Sequence, residues 1–149
     1  MNMKKMVLII VLILAGLTVR AQETSNEVPP SVAISLTDKF PDVNMEDVSW
    51  DTEAGYHIAV FTQQDQDYEV RFDQNGKWIS TEVGNFPTNN IPTEVQKGLQ
   101  QTGYSTWSIN DVEKVESNDL TLYQIEVKQG LKDTDLYFDD KGNIVRVDS

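Results

Sequence analysis

The chain of 149 residues contains no cysteine. That excludes disulfides and thiolate metal sites, and it closes the lipid-anchoring route that needs a cysteine directly after an export signal. Histidine occurs once, at His57, whereas zinc sites usually take several His or Cys ligands. No G-x-S-x-G elbow frames a serine, and no glycine-rich phosphate loop is present. Nothing singles out a nucleophile with its base and orienting group, or a carboxylate pair for glycosidic cleavage. No catalytic, cofactor-binding or metal-ligating residue is therefore assigned, and no enzyme is expected. Positive charge is also scarce: 12 Lys and Arg stand against 24 Asp and Glu, a formal charge of −12. Such a chain repels nucleic acid and anionic lipid. It suits solubility, or a basic partner.

The N-terminal residues have the layout of an export signal. Lys4 and Lys5 precede an unbroken apolar run from Met6 to Leu17, and Val19-Arg20-Ala21 stands before Gln22. The run is short against the ~20 residues of a spanning helix. A signal peptide over residues 1–21 is expected, with a mature chain that is periplasmic or secreted and free of the membrane. Cleavage would remove Lys4, Lys5 and Arg20, so 12 basic residues become 9 while all 24 acids remain and the balance moves from −12 to −15.

The mature chain states its pattern twice. Residues 55–79 read GYHIAVFTQQDQDYEVRFDQNGKWI and residues 122–145 read LYQIEVKQGLKDTDLYFDDKGNIV. Tyr56, Ile58 and Val60 match Tyr123, Ile125 and Val127, while Val70, Phe72, Asp73 and Gly76 match Leu136, Phe138, Asp139 and Gly142. Upstream, Val28-Pro29-x-x-Val32-x-x-x-Leu36 recurs as Ile91-Pro92-x-x-Val95-x-x-x-Leu99, and Glu46-Asp47-Val48 as Asn110-Asp111-Val112. The offsets are 63 and 64 for these, 67 for the second strand and 66 for the turn. Drift in loops with strands in phase marks a duplicated unit.

Each unit resolves into one helix and four antiparallel strands. Val32, Leu36 and Phe40 form an apolar stripe at helical spacing, and Pro41 ends it. Strands follow at 48–51, 56–61, 68–72 and 77–83, with a loop at 63–67. Asp73-Gln74-Asn75-Gly76 predicts a type I turn with a glycine bulge, pairing Phe72 with Trp78. This turn and Asp139-Asp140-x-Gly142 lack the alternating acids and closing glutamate of a calcium loop. Residues 84–90 read as a linker. The expected architecture is α+β, a tandem duplication of a helix plus four-stranded antiparallel sheet unit. The repeats are 22–83 and 91–149, joined in one cooperative body with both helices on one sheet face. Trp107 is expected to cover the end of the sheet.

The face apolar in both units, Tyr56, Ile58, Val60, Val70 and Phe72 with Tyr123, Ile125, Val127, Leu136 and Phe138, is expected beneath the helices. The opposite face then carries the candidate partner contacts: His57, Phe61, Arg71, Ile79, Tyr137 and Val145. Charge with scattered aromatics suits a wet recognition surface as well as an ordinary solvent-facing sheet.

The run Pro29, Phe40-Pro41, Trp50, Tyr56, Tyr68-x-Val70-x-Phe72-Asp73-x-x-Gly76-x-Trp78 resembles the PepSY-like, beta-lactamase-inhibitor-like proteins exported by Bacteroidetes-type bacteria. The second unit keeps Pro92, Tyr123, Phe138, Asp139 and Gly142. It departs at Gly103-Tyr104 for Phe-Pro, at Lys114 for the strand tryptophan and at Ile144 for Trp78. The resemblance implies the tandem fold and a non-enzymatic protein outside the cytoplasm. It further implies one that binds and restrains other proteins, notably hydrolases, through the helix-free sheet face. On this reading the chain is a monomer that contacts a protein or peptide and takes no cofactor. The alternative from the acidic composition is a carrier of a small ligand or calcium.

Overall fold

A computed structural model describes residues 28–148. The expected signal peptide lies outside the described residues. Pro29 caps the first helix, α1 (Pro30–Lys39), whose buried residues are Val32 and Leu36. These two sit four residues apart on one stripe, as the spacing requires. Strands β1 (Ser49–Glu53), β2 (Tyr56–Gln63), β3 (Gln66–Phe72) and β4 (Trp78–Gly84) follow. Helix α2 (Thr93–Gln100) then precedes β5 (Ser108–Ser117), β6 (Thr121–Gln129), β7 (Lys132–Asp139) and β8 (Ile144–Asp148).

The eight strands of the described residues form one antiparallel sheet in chain order. The halves meet edge to edge through β4 and β5, where Ser80 to Val83 pair with Ser117 to Lys114. This closes two strand edges that separate half-sheets would leave open.

The hairpin turns follow the sequence. Gly76 N–H donates to the Asp73 carbonyl, Asp73 N–H to the Lys77 carbonyl, and Phe72 pairs with Trp78. The Asp73 carboxylate accepts from the Asn75 and Lys77 amides at 2.8 and 2.9 Å. Asp139 does the same for Lys141 and Asn143 at 3.0 and 2.8 Å. Each turn glycine has φ near +84° and lies against the backbone of its own helix, Gly76 beside Ser31 and Gly142 beside Glu94. The turns dock the helices as well as reversing the chain.

One expected face is inverted. Beneath α1 the core holds Ala59, Phe61, Val70 and Phe72, with Tyr68, Trp50 and Trp78 packed against it. Phe40 at the helix end meets Phe61 and Tyr68 at ring separations of 5.3 and 5.4 Å, and Phe61 stacks on Tyr68 at 5.0 Å. The pairing of His57 with Phe72, Ala59 with Val70 and Phe61 with Tyr68 puts these residues on the helix side. Tyr56, Ile58 and Val60 therefore point the other way, because a one-residue change of register turns every side chain over. The matching segments are His57–Phe61 and Tyr123–Val127 at an offset of 66, since Tyr123 pairs with Phe138 as His57 does with Phe72. By the same registers Val112, opposite Ile125, stands where Trp50 stands opposite Ala59; Lys114 does not.

The second half keeps its expected face. Val112, Tyr123, Ile125, Val127, Leu136 and Phe138 pack under Val95, with Leu99, Tyr104 and Trp107 around them. Trp107 meets Tyr104 edge-on at 5.0 Å. The loop expected at 63–67 shrinks to Gln64 and Asp65, both at positive φ.

The inversion has a measurable consequence. Phe61 is 4% exposed, so Phe61→Ala should cost ~3–5 kcal/mol. Val60→Ala, on the more exposed side of the same strand, should cost ~1 kcal/mol or less. Urea titrations of both variants check the register, and equal losses would contradict it.

Candidate partner-binding face

Sheet register sorts the candidate contacts. Arg71 and Tyr137 lie on the helix-free face, as expected. His57 and Phe61 lie on the helix side and leave the site, for the register reason given above. Ile79 and Val145 are the unpaired residues of two bulges: Phe72 pairs with Trp78 and Arg71 with Ser80, Phe138 with Ile144 and Tyr137 with Arg146. Ile79 is half-buried and Val145 is 53% exposed.

The helix-free face is built from rows that cross the strands. One row runs Val60, Glu69, Glu82, Val115, Leu122. On one side of it runs Ile58, Arg71, Ser80, Ser117. On the other run Glu113, Gln124, Tyr137, Arg146, and beyond them Asp111, Glu126, Asp135, Asp148. No helix among the described residues covers these rows, yet Ile58, Arg71, Glu82, Glu113, Val115 and Tyr137 are all buried. The side chains cover one another across the middle of a wide sheet.

Charge on this face is mostly negative and unevenly answered. Arg71 reaches Glu53 at 3.3 Å and Glu69 at 3.4 Å. Lys128 pairs with Glu126 at 2.9 Å, and Arg146 with Asp148 at 2.6 Å. The Arg146 guanidinium also lies 3.9 Å from the Tyr137 ring centre, a cation–π geometry. Burial pushes the Tyr137 phenol up from its ordinary range, against the opposing pull of Arg146. Glu69 is raised first by burial, with Arg71 pulling the other way.

Glu82 stands apart. It is 1% exposed, and neither carboxyl oxygen has a hydrogen-bond partner. Burial, then the neighbouring Glu69 and Glu113, push its carboxyl up to about 8. Nothing in the sequence marks it, because Glu82 alternates with Thr81 and Val83 like any polar residue on an open sheet side. Its place in the middle of eight strands is what buries it.

Among the described residues no three His, Asp or Glu side chains are grouped to hold a metal ion, and none of their helices is long and apolar enough to cross a membrane. On the helix side a cleft of about 290 Å³ separates the two helix-covered lobes, lined by Lys39, Phe40, Tyr68, Phe86 and Lys114 among others. Lys114 is held there by Glu116 at 2.8 Å.

Fold and face together define an α+β module, a single antiparallel sheet with one helix-covered side and one open acidic side. The chain belongs to the beta-lactamase-inhibitor-like, PepSY-like family, whose pattern matches residues 54–146. A BLIP-like protein from Bacteroides fragilis NCTC 9343 is similar in structure: 27% identity, TM-score 0.66, covering 83% of this chain and 88% of that one. A protein described as periplasmic from Bacteroides eggerthii DSM 20697 shares the fold at 20% identity and a TM-score of 0.68, over 83% and 89% of the two chains. A DUF2874 family protein from Bacteroides uniformis ATCC 8492 does so at 21% and 0.67, over 80% and 88%. The two-component response regulator-like APRR6 of Arabidopsis thaliana is 28% identical over 87 residues. That is 58% of this chain, but the chain spans only 12% of that protein's length.

Proposed function

We propose that this is a non-enzymatic periplasmic module that contacts a protein through the helix-free sheet face. The observation that carries the reading is the face itself: buried Val115 and Tyr137 with partly buried Leu122 packed against them, set among charges and covered by no helix of the described residues. Interfaces of moderate size combine such a core with a polar rim. Family membership and the BLIP-like neighbour support an inhibitor-type role, and the periplasmic description of a second neighbour supports the location.

The halves also read as copies of one ancestral unit. An offset of 66 relates the turns at Asp73 and Asp139, the bulges after Arg71 and Tyr137, and the pairs His57–Phe72 and Tyr123–Phe138. Three independent features at one spacing support duplication.

The test uses the folded domain as bait on periplasmic extract. Val60→Arg with Leu122→Arg places two new charges on the open face. Ile34→Arg with Leu131→Arg places them at exposed positions, 58% and 105% accessible, outside it. The control pair should keep the proteins captured by the parent, and the face pair should lose them while still melting cooperatively. Capture unchanged by the face pair would remove this surface from consideration.

A further inference from the structure

At the centre of the helix-free face Glu82 is flanked by two further acids, Glu69 and Glu113, and by the guanidinium of Arg71. Glu69 and Glu82 are directly opposed across β3 and β4, where like charges destabilise a sheet. Arg71 is already divided between Glu53 and Glu69. Glu82 is left with two buried oxygens and no donor. A buried polar group without a partner costs free energy, and any small apolar residue would serve the sheet better. The missing component is a donor bearing positive charge.

We propose that the partner delivers a cationic side chain, the guanidinium of an arginine or the ammonium of a lysine, to the centre of this face, where Glu82 receives it. The inference rests on the reading of this face as the partner surface and adds the chemistry of the residue seated there. A metal ion is the poorer fit, because among the described residues no group of three His, Asp or Glu side chains is placed to hold one. A long side chain ending in N–H donors needs only one carboxylate in reach, and its aliphatic stem would lie along Val60, Val115 and Leu122 of the same row.

Binding on these terms is coupled to a proton. The groups around Glu82 are Glu69 and Arg71 from β3, and Glu113 from β5, and no helix of the described residues packs on this side. Below about 8 the carboxyl holds its proton. Receiving a cation ionises it, and the proton goes to solvent. The association constant should therefore rise with pH, by up to roughly tenfold per unit from pH 6 to 8.

The experiment is selection of random peptides displayed on phage against the parent domain and against E82Q at pH 8. The selected peptides are then resynthesised and titrated from pH 6 to 8. E82Q keeps the shape of the protonated acid, so a cooperative melt at pH 6, at or above the parent's melting temperature, establishes that it folds. The parent should enrich peptides around an arginine or lysine, bind them more tightly as pH rises, and lose at least tenfold affinity when that residue becomes norleucine. E82Q should enrich different sequences and show a flat pH profile. Peptides without a cation, or the same peptides and pH profile with E82Q, would overturn the proposal and leave the face as the partner surface. A parent domain that enriches nothing would count against both.

Discussion

Gly142→Ala should lower the melting temperature by more than ~10 °C, a loss of ~3 kcal/mol or more. Two costs act at one atom. Gly142 has φ +83°, and an added Cβ would fall on the Glu94 carbonyl of α2. L-residues are strained at that φ, and the helix has to lift off the sheet to make room. Gly130 separates the two effects: its φ is +63°, but nothing lies within 4 Å of an added Cβ. Gly130→Ala should therefore cost only ~1 kcal/mol, the backbone term alone. Thermal melts of both variants decide the matter. Equal small losses would mean that the turn does not dock α2.

The second large effect is a pH dependence carried by one side chain. The Glu82 carboxyl is raised from an ordinary 4.5 to about 8 in the folded chain. A group that holds its proton more tightly when folded contributes most below its unfolded value. That contribution drains away as pH climbs from 4.5 through about 8. A shift of this size corresponds to on the order of 4–5 kcal/mol across the window. The raised Glu69 acts in the same direction. Asp139 and Glu116 act oppositely, held below the ordinary range by hydrogen bonds from Asn143 and Lys114, and their contribution is lost on acidification. Denaturant midpoints of the parent should fall between pH 5 and 9, and those of E82Q should fall far less, so that the margin in favour of E82Q widens from pH 4.5 to about 8 and then levels off. Parallel profiles would show that Glu82 ionises freely.

Most elements were legible because local chemistry dictates them. Val32 and Leu36 mark the buried stripe of α1, Pro41 its end, and Asp73 with Gly76 a turn whose register the structure reproduces residue for residue. The phase of β2 was not legible. Residues 56–61, YHIAVF, carry apolar side chains on both faces, so alternation alone does not choose between Ile58 and Ala59 for the core. Loop length chooses. A two-residue turn at Gln64-Asp65 forces Gln63 opposite Gln66 and hence Phe61 opposite Tyr68. Such a turn calls for Asn-Gly or a similar pair, and Gln-Asp gives no such signal. The error carried into the site, placing His57 and Phe61 among the contacts while the acidic centre around Glu82 went unnoticed. Arg71 and Tyr137 fall on the expected face because the turns at Asp73 and Asp139, which are legible, fix the register of the strands before them.

Strand order equal to chain order also governs how the molecule is made. Every ladder except β4–β5, which spans the segment carrying α2, joins strands linked by a short turn, so little loop-closure entropy opposes most steps, and such topologies fold quickly. A polypeptide emerging N terminus first can zip β1 to β4 onto α1 as each appears, leaving the free margin of β4 as the template on which β5 begins the remainder. Assembly from one end to the other never requires an early segment to wait for a distant late one.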